Sequence, residues 1–261
     1  MSTATRGEIR RAQRAQAKDT REVVVAYCHP DINMSQFTAT MIALTDYDSA
    51  HRRKILNHIA FQGGPRISEA RNWLAGKVLD HAGAEWMWMI DADMAPQPDI
   101  LYRMMDVCAS DQKIRFLGAL AFVGGRTWDL RPNIYSEPRP GHFELANDYP
   151  DDALVKVAAT GAACMLVHRE VLEEIRKIHG NEPKTWFKEV ERQGNDYGED
   201  ITFCQRVREV GFDVWVHTGI EIGHIKAMPL HSGLYKLLRN LNPYEREQFE
   251  KSHNRAMGLP C

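Results

Sequence analysis

Trp86-Met87-Trp88-Met89-Ile90-Asp91-Ala92-Asp93 is the stretch on which the fold turns. Its first five residues form a continuous apolar run, as in a strand buried on both faces. The run leads straight into two carboxylates one residue apart. Upstream, Val23 to Tyr27 is another apolar run, closed by the turn-rich Cys28-His29-Pro30-Asp31. Ile55 to Phe61 is a further strand, closed by Gly63-Gly64-Pro65. Between these runs lie helical patterns. Phe37 to Leu44 is apolar, and Ile67 to Leu79 repeats Ile67, Ala70, Leu74 and Val78 at spacings of three and four. Pro98 opens a helix through Val107, and Ile114 to Leu120 is a strand again. This alternation predicts an α/β layered fold with a mixed, mainly parallel sheet flanked by helices. Ligands of such sheets bind beyond the carboxyl ends of the strands, where Asp91 and Asp93 stand.

The second half is less regular. Gly124, Gly125, Pro132, Pro138, Pro140, Gly141 and Pro150 interrupt the pattern from Ala121 to Asp152, which predicts a long functional loop. Ala153 to Val157 and Ala163 to His168 read as strands flanking Thr160-Gly161, and Arg169 to Ile178 as a helix. Asn181 to Tyr197 is a second polar loop. Glu199 to Val210 is a helix with Phe203, Val207 and Val210 on its core side. Phe212 to His217 and Ile220 to Ile222 are short strands before Gly223-His224. Leu234 to Asn254 is helical and mostly polar, interrupted at Pro243. The expected organisation is a basic tail over 1–21, one α/β domain over 22–228 and a helical extension over 229–261.

Composition narrows the class. The chain has 261 residues, 44% apolar and 26% charged, and its net charge of -2 gives no global case for nucleic-acid binding. Cys28, Cys108, Cys164, Cys204 and Cys261 form no CxxC pair, which argues against a zinc knuckle or disulfide framework. Cys164 and Cys204 sit among apolar neighbours as core residues, and reduced thiols fit a cytosol. No stretch approaches the ~18 apolar residues of a membrane span. The N-terminus has no apolar h-region, so the expected location is cytoplasmic.

Four groups carry chemistry. Asp91 and Asp93 are hard oxygen donors suited to Mg2+ or Mn2+, with a pyrophosphate completing the coordination. Tyr197-Gly198-Glu199-Asp200 places two acids after a glycine at a helix start. There an acid serves either the helix dipole or a proton transfer. His224 offers an imidazole to a site that lacks a third protein ligand. Arg66, Arg71 and Asn72 cluster near a helix start, where arginine forks suit phosphate. His217 and Lys226 are further candidates, Lys226 facing the diphosphate.

The order of Ala70-Arg71-Asn72, Asp91-Ala92-Asp93, Gly161-Ala162-Ala163-Cys164, Gly198-Glu199-Asp200 and Gly223-His224 resembles family-two-type glycosyltransferases of the GT-A fold. The likeness runs from about Val23 to Lys226. It implies that Asp93, with Asp91 directly or through water, and His224 bind the metal. It implies that Arg71 and the first loop Tyr27-Cys28-His29-Pro30 contact the nucleotide, and that Glu199 and Asp200 face sugar and acceptor. In inverting members the acid at the Asp200 position is the general base. Two departures stand out: Gln62 or the Gly63-Gly64 turn replaces the usual acid after the second strand, and Cys28-His29 alters the first loop. Compact versions occur among phage and bacterial cytosolic enzymes, which would put this chain in a host cytoplasm if phage-encoded. Some phage relatives glycosylate hydroxymethylated DNA bases.

The expected function is therefore sugar transfer from a nucleoside diphosphate donor, UDP-linked by preference, to an acceptor hydroxyl such as that of a modified DNA base. Stereochemistry leans to inversion. Residues 121–152 and 181–197 would form the lid and acceptor wall. A nucleotidyltransferase is the first rival, although Cys28-His29-Pro30-Asp31 lacks its Gly-rich phosphate loop. A non-catalytic nucleic-acid module is the second. It is suggested by Arg6, Arg10, Arg11, Arg14, Lys18 and Arg21, with Lys236, Arg239, Arg246 and Lys251 at the far end.

Overall fold

The computed structural model describes residues 21–30, 34–63, 66–124, 130–180, 184–192, 194–226 and 230–256. The expected basic tail lies outside these residues except for Arg21, as do Asp31, Gly64, Pro65 and Gly125. In the first half, strand and helix alternate as the apolar runs require. The order is β1 (Val23–His29), α1 (Ser35–Ala50), β2 (Ile55–Gln62), α2 (Ile67–Asp80), β3 (Trp86–Ile90), β4 (Met94–Ala95), α3 (Ile100–Ser110) and β5 (Phe116–Gly124). Then follow β6 (Leu130–Pro132), β7 (Ile134–Arg139), β8 (His142–Leu145), β9 (Leu154–Val157), β10 (Ala159–Thr160), β11 (Cys164–His168) and α4 (Arg169–His179). The chain continues through β12 (Val190–Arg192), β13 (Asn195–Tyr197), α5 (Glu199–Glu209), β14 (Val214–His224), α6 (Ser232–Arg239) and α7 (Pro243–Ala256).

Among the described residues the central sheet has the order β2-β1-β3-β11-β5-β14-β4, with β6 on β5 and β9 on β14. β1 is parallel to β2 and β3, and β14 is parallel to β5. β11 runs antiparallel between β3 and β5. Five strands therefore point one way, in the expected mixed and mainly parallel sheet, and their carboxyl ends share one edge.

The composition of β3 follows from its central place. Successive side chains of a strand face opposite ways. Trp86, Trp88 and Ile90 join an apolar layer with Phe37, Met41 and Leu44 of α1 and Ile100, Leu101 and Met104 of α3. Met87 and Met89 join the other layer, with Leu74 and Val78 of α2, Leu172 and Ile175 of α4, and Phe203 and Val207 of α5. All five β3 side chains are buried, so the strand has no polar face. Cys164 and Cys204 are buried as expected, and burial pushes both thiols up to about 12. No helix among the described residues is long and apolar enough to cross a membrane.

Three expectations need correction. Residues 121–152 are not one long loop: β5 continues to Gly124, and β7, β8 and β10 form a small antiparallel sheet. Pro138 falls at an irregularity of the β7–β8 register, where a missing N–H costs little, and Gly141 makes the turn with φ 74°. Residues 181–197 are not simply polar loop either. Thr185, Trp186 and Phe187 are buried, and β12 and β13 form a hairpin around Gly194. The two strands expected after Phe212 are one, β14, carrying an irregularity between His217 and Glu221 that Gly219 absorbs. The break at Pro243 stands: proline occupies the first position of α7, where its missing N–H is harmless.

Candidate functional site

Asp91 is the first residue beyond β3. Its N–H donates to the Ala163 carbonyl at 3.0 Å, and its carbonyl accepts from Met94 N–H at 3.1 Å, closing a tight turn. β4 then pairs antiparallel with the end of β14, placing Met94 opposite His224. The Asp93 carbonyl accepts from Ile225 N–H at 2.7 Å, which completes the stitch. This short ladder brings Asp93 beside His224, 131 positions along the chain.

At the outer end of the turn, Asp93 Oδ2 lies 2.9 Å from His224 Nε2 and 2.7 Å from Lys226 Nζ. Burial pushes the Asp93 carboxyl up, but the bonds from His224 and Lys226 outweigh it and hold the group at about 2. His224 Nδ1 lies 2.9 Å from the Phe122 carbonyl. A carbonyl only accepts, so Nδ1 carries a proton. Nε2, 2.9 Å from Asp93 Oδ2, then either donates to the carboxylate from the protonated ring or, in the neutral ring, offers its lone pair to an ion shared with that oxygen.

At the inner end, the Asp91 carboxylate accepts two bonds from Arg71 Nη2, at 2.7 and 2.9 Å. Arg71 Nη1 donates to Glu199 Oε1. Arg71 is buried, and its Nε has no partner among the described residues. Burial works against its charge, yet Asp91 and Glu199 raise its pKa overall. Arg71 thus ties the turn after β3 to the start of α5. Among the described residues, no three His, Cys, Asp or Glu side chains are grouped to hold a metal, because Asp91 is turned toward Arg71. The expected triad of Asp91, Asp93 and His224 is assembled only as the pair Asp93 and His224.

Glu199 and Asp200 open α5, but they differ. Glu199 is tied to Arg71, and burial raises its pKa against that pull. Asp200 Oδ1 accepts the adjacent Ile201 N–H, at 2.8 Å. Burial also raises the Asp200 carboxyl, opposed by Arg71 and by backbone N–H groups. Gly198 makes room for it: a Cβ there would lie 2.7 Å from Asp200 Oδ1, whereas one on Gly161 would sit at ordinary contact distance, 3.6 Å from Oδ2.

The remaining expected donor residues divide. Tyr27 packs edge-on against Phe37 at 5.4 Å, at the carboxyl end of β1. Cys28 is half-buried, and its thiol is pushed up to about 11 by burial and the Asp91 charge, so it is no thiolate. His29 Nδ1 bonds the Pro30 carbonyl at 2.7 Å, and Pro30 is exposed. Two others are engaged elsewhere among the described residues. Asn72 Nδ2 donates to the Ser68 and Phe187 carbonyls, while its Oδ1 accepts from Trp186 and Phe187 N–H. Its amide is spent on folding residues 186–187 and has nothing to offer a donor. Arg66 is 76% exposed and paired with Glu69 at 2.7 Å, pointing into solvent. His217 is likewise structural, its Nδ1 accepting the Gly219 N–H within the β14 irregularity.

Tyr135 and Phe143 escape a sequence reading. They sit on β7 and β8, Tyr135 within electrostatic reach of Asp200, inside the stretch whose prolines hide its alternation. The signal was the Pro140-Gly141 turn between Ile134–Arg139 and His142–Leu145.

No family model and no curated protein sequence matches the chain. Among solved structures it is similar to A197 from STIV, at 11% identity and a TM-score of 0.44 over 80% of this chain and 99% of that one. It is similar to a glycosyltransferase involved in glycosylation of the major capsid of PBCV-1, at 16% identity and a TM-score of 0.35 over 60% and 64%. It is also similar to a mutant of Drosophila beta-1,4-galactosyltransferase 7 in complex with manganese, UDP-Gal and xylobiose, at 13% identity and a TM-score of 0.43 over 88% and 79%. At these identities the likenesses name no substrate for this chain.

Proposed function

We propose that this chain is a metal-dependent glycosyltransferase, moving a sugar from a nucleoside diphosphate sugar to an acceptor hydroxyl. The observation that supports this best is the meeting of Asp93 and His224 at the strand-end edge, with His224 Nε2 2.9 Å from the Asp93 carboxylate. One oxygen and one nitrogen donor fit Mn2+ or Mg2+, Mn2+ better because imidazole suits transition metals. Asp93 and His224 would hold the ion, with Asp91 contributing through water while Arg71 keeps its carboxylate. When bound, the ion supplies neutralisation of the charge that grows on the leaving diphosphate.

The chain's own residues do the rest. Lys226 is half exposed and free to turn from Asp93 toward a phosphate oxygen. The end of β1, Tyr27 to Pro30, lines the neighbouring strand end and would receive the nucleoside, a uridine by preference. Arg71 positions Asp91 and Glu199 as one unit rather than gripping phosphate. Of the paired acids, Asp200 is bonded by no side-chain cation among the described residues, and its raised pKa suits a base taking the acceptor proton. A base opposite the leaving group is consistent with inversion.

The test is a panel of nucleotide sugars, scored for Mn2+-dependent hydrolysis and thermal stabilisation in wild type and Asp93→Ala. One donor should stabilise the wild type only with metal, and the variant not at all. A donor that stabilises both proteins equally, with or without metal, would sink the site.

A further inference from the structure

We propose that Asn133 is a positioning residue that fixes the metal end of the site relative to its base end. The consequence for catalysis rests on the glycosyltransferase reading, whereas the geometry does not. Asn133 stands between β6 and β7, where the chain passes from the central sheet to the small antiparallel sheet. It is 2% exposed, so its polar groups need partners inside the fold. In the β5–β6 register Phe122 faces Pro132, which sets Ala121 opposite Asn133. In the β7–β10 register Ile134 faces Thr160, which sets Gly161 opposite Asn133. One residue therefore belongs to the ladders of both sheets.

The Asn133 amide makes this double membership possible. A hydrogen-bonded antiparallel pair exchanges two main-chain bonds. Asn133 N–H donates to the Ala121 carbonyl at 2.9 Å. The return bond from Ala121 N–H ends on Asn133 Oδ1, at 2.9 Å, instead of on the main-chain carbonyl. That carbonyl is left to accept Gly161 N–H at 3.0 Å. Asn133 Nδ2 donates to the Ala119 carbonyl at 3.1 Å and fixes the amide plane. The position calls for a short side chain with both a donor and an acceptor. Alanine would leave Ala121 N–H and the Ala119 carbonyl unpaired, and aspartate would keep the acceptor but lose the donor.

Each side of this clamp carries one end of the site. On the central sheet, Ala121 precedes Phe122, whose carbonyl lies 2.9 Å from His224 Nδ1 and orients the ring toward Asp93. On the other side, a Cβ at Gly161 would lie 3.4 Å from Asn133 Cβ and 3.6 Å from Asp200 Oδ2. Asn133 and Asp200 thus border the same open face of that glycine. Two residues beyond it, the Ala163 carbonyl accepts Asp91 N–H at 3.0 Å. A loosened clamp would let His224 and Asp200 drift relative to one another. A misplacement of about 1 Å in an active site can cost about 10²-fold in rate.

The experiment uses the full chain with Asn133→Ala, Asn133→Asp and Ile175→Ala, the last a truncation of a buried residue on α4. Three readouts are taken: binding of Mn2+ alone by electron paramagnetic resonance, hydrolysis of nucleotide sugars, and the His224 Nδ1–H signal in heteronuclear NMR. Asn133→Ala should weaken Mn2+ binding about three- to tenfold and broaden the Nδ1–H signal. It should lower kcat about ten- to a hundredfold at saturating metal and donor. Asn133→Asp, which keeps the acceptor for Ala121, should fall between Asn133→Ala and wild type. Ile175→Ala should lower Tm by a comparable amount and change none of the three readouts. Wild-type Mn2+ affinity and kcat in the folded Asn133 variants would overturn the proposal. So would the same losses in Ile175→Ala, which would make them a matter of stability alone. If Asn133→Ala does not fold, Asn133→Asp carries the same comparison. A wild type that binds no Mn2+ and hydrolyses no donor would overturn the transferase reading instead. The Nδ1–H signal would then still decide the role of Asn133: its loss in the Asn133 variants alone supports the clamp, and its persistence there overturns it.

Discussion

Replacing Arg71 by methionine tests the centre of the site through stability alone. Arg71 is 5% exposed and bonds the carboxylates of Asp91 and Glu199, whose side chains are 25% and 13% exposed. Methionine fills a similar volume but leaves two acids in low dielectric without a cation. Removing one partner of a buried ion pair costs about 3–5 kcal/mol. The partial exposure of Asp91 favours the lower end, since water can take over some of its solvation. For a chain of this size each kcal/mol moves Tm by about 2–4 °C, so Tm should fall by roughly 6–20 °C. The loss should depend on pH with a definite sign. Arg71 lowers the Glu199 pKa against burial; without it, that pKa rises further. An acid whose folded pKa is raised adds stability only where it is protonated, and that stability disappears as pH climbs through the raised value. The gap between variant and wild type should therefore shrink from pH 7.5 to pH 5. Thermal unfolding by circular dichroism at both values reads this directly. Arg71→Met combined with Glu199→Gln should recover part of the loss, giving a positive coupling in a double-mutant cycle. A Tm within about 2 °C of wild type at both pH values would refute the reasoning, because the two acids would then be solvated without the guanidinium.

Three further outcomes follow from the same geometry. Asp93→Ala and His224→Ala should each weaken Mn2+ binding at least about tenfold, measured as free Mn2+ by electron paramagnetic resonance, while Arg66→Ala leaves it unchanged. Asp200→Asn should lower kcat about 10²- to 10⁴-fold with donor KM unaltered. The wild-type kcat should rise with pH through a pKa above the ordinary aspartate value of 3.8, since burial raises Asp200 and the base must be ionised; that limb should vanish in the variant. Gly198→Ala, whose new Cβ would lie 2.7 Å from Asp200 Oδ1, should lower kcat while shifting stability by about 1 kcal/mol. Full activity in that variant would show that Asp200 is free to move aside.

The sequence by itself determined the layered α/β class, the place of β3 at its centre and the two ends of the site. A five-residue apolar run of alternating tryptophan and methionine can be satisfied only between two apolar layers, so its position needed no coordinates. The turn at Asp91 to Asp93 followed, because charged residues must leave such a layer at once. Gly223-His224 and Gly198-Glu199-Asp200 were legible as types and by their order, although each motif alone is common. The tertiary structure decided how the acids divide their work. Nothing local distinguishes Asp91 from Asp93 or Glu199 from Asp200. The difference comes from Arg71, fixed on α2 by burial, which takes Asp91 and Glu199 and leaves Asp93 to His224 and Lys226 and Asp200 to a backbone N–H. Asn72, one residue along, looked equally polar, but the helix turns its amide toward residues 186–187. The β7–β8 hairpin was hidden for a related reason: a proline breaks a strand pattern in one dimension, but it costs nothing where the partner strand asks for no N–H. Hydrogen-bond partners across more than a hundred residues are a property of the folded chain, and they decided which of the acids are free to act.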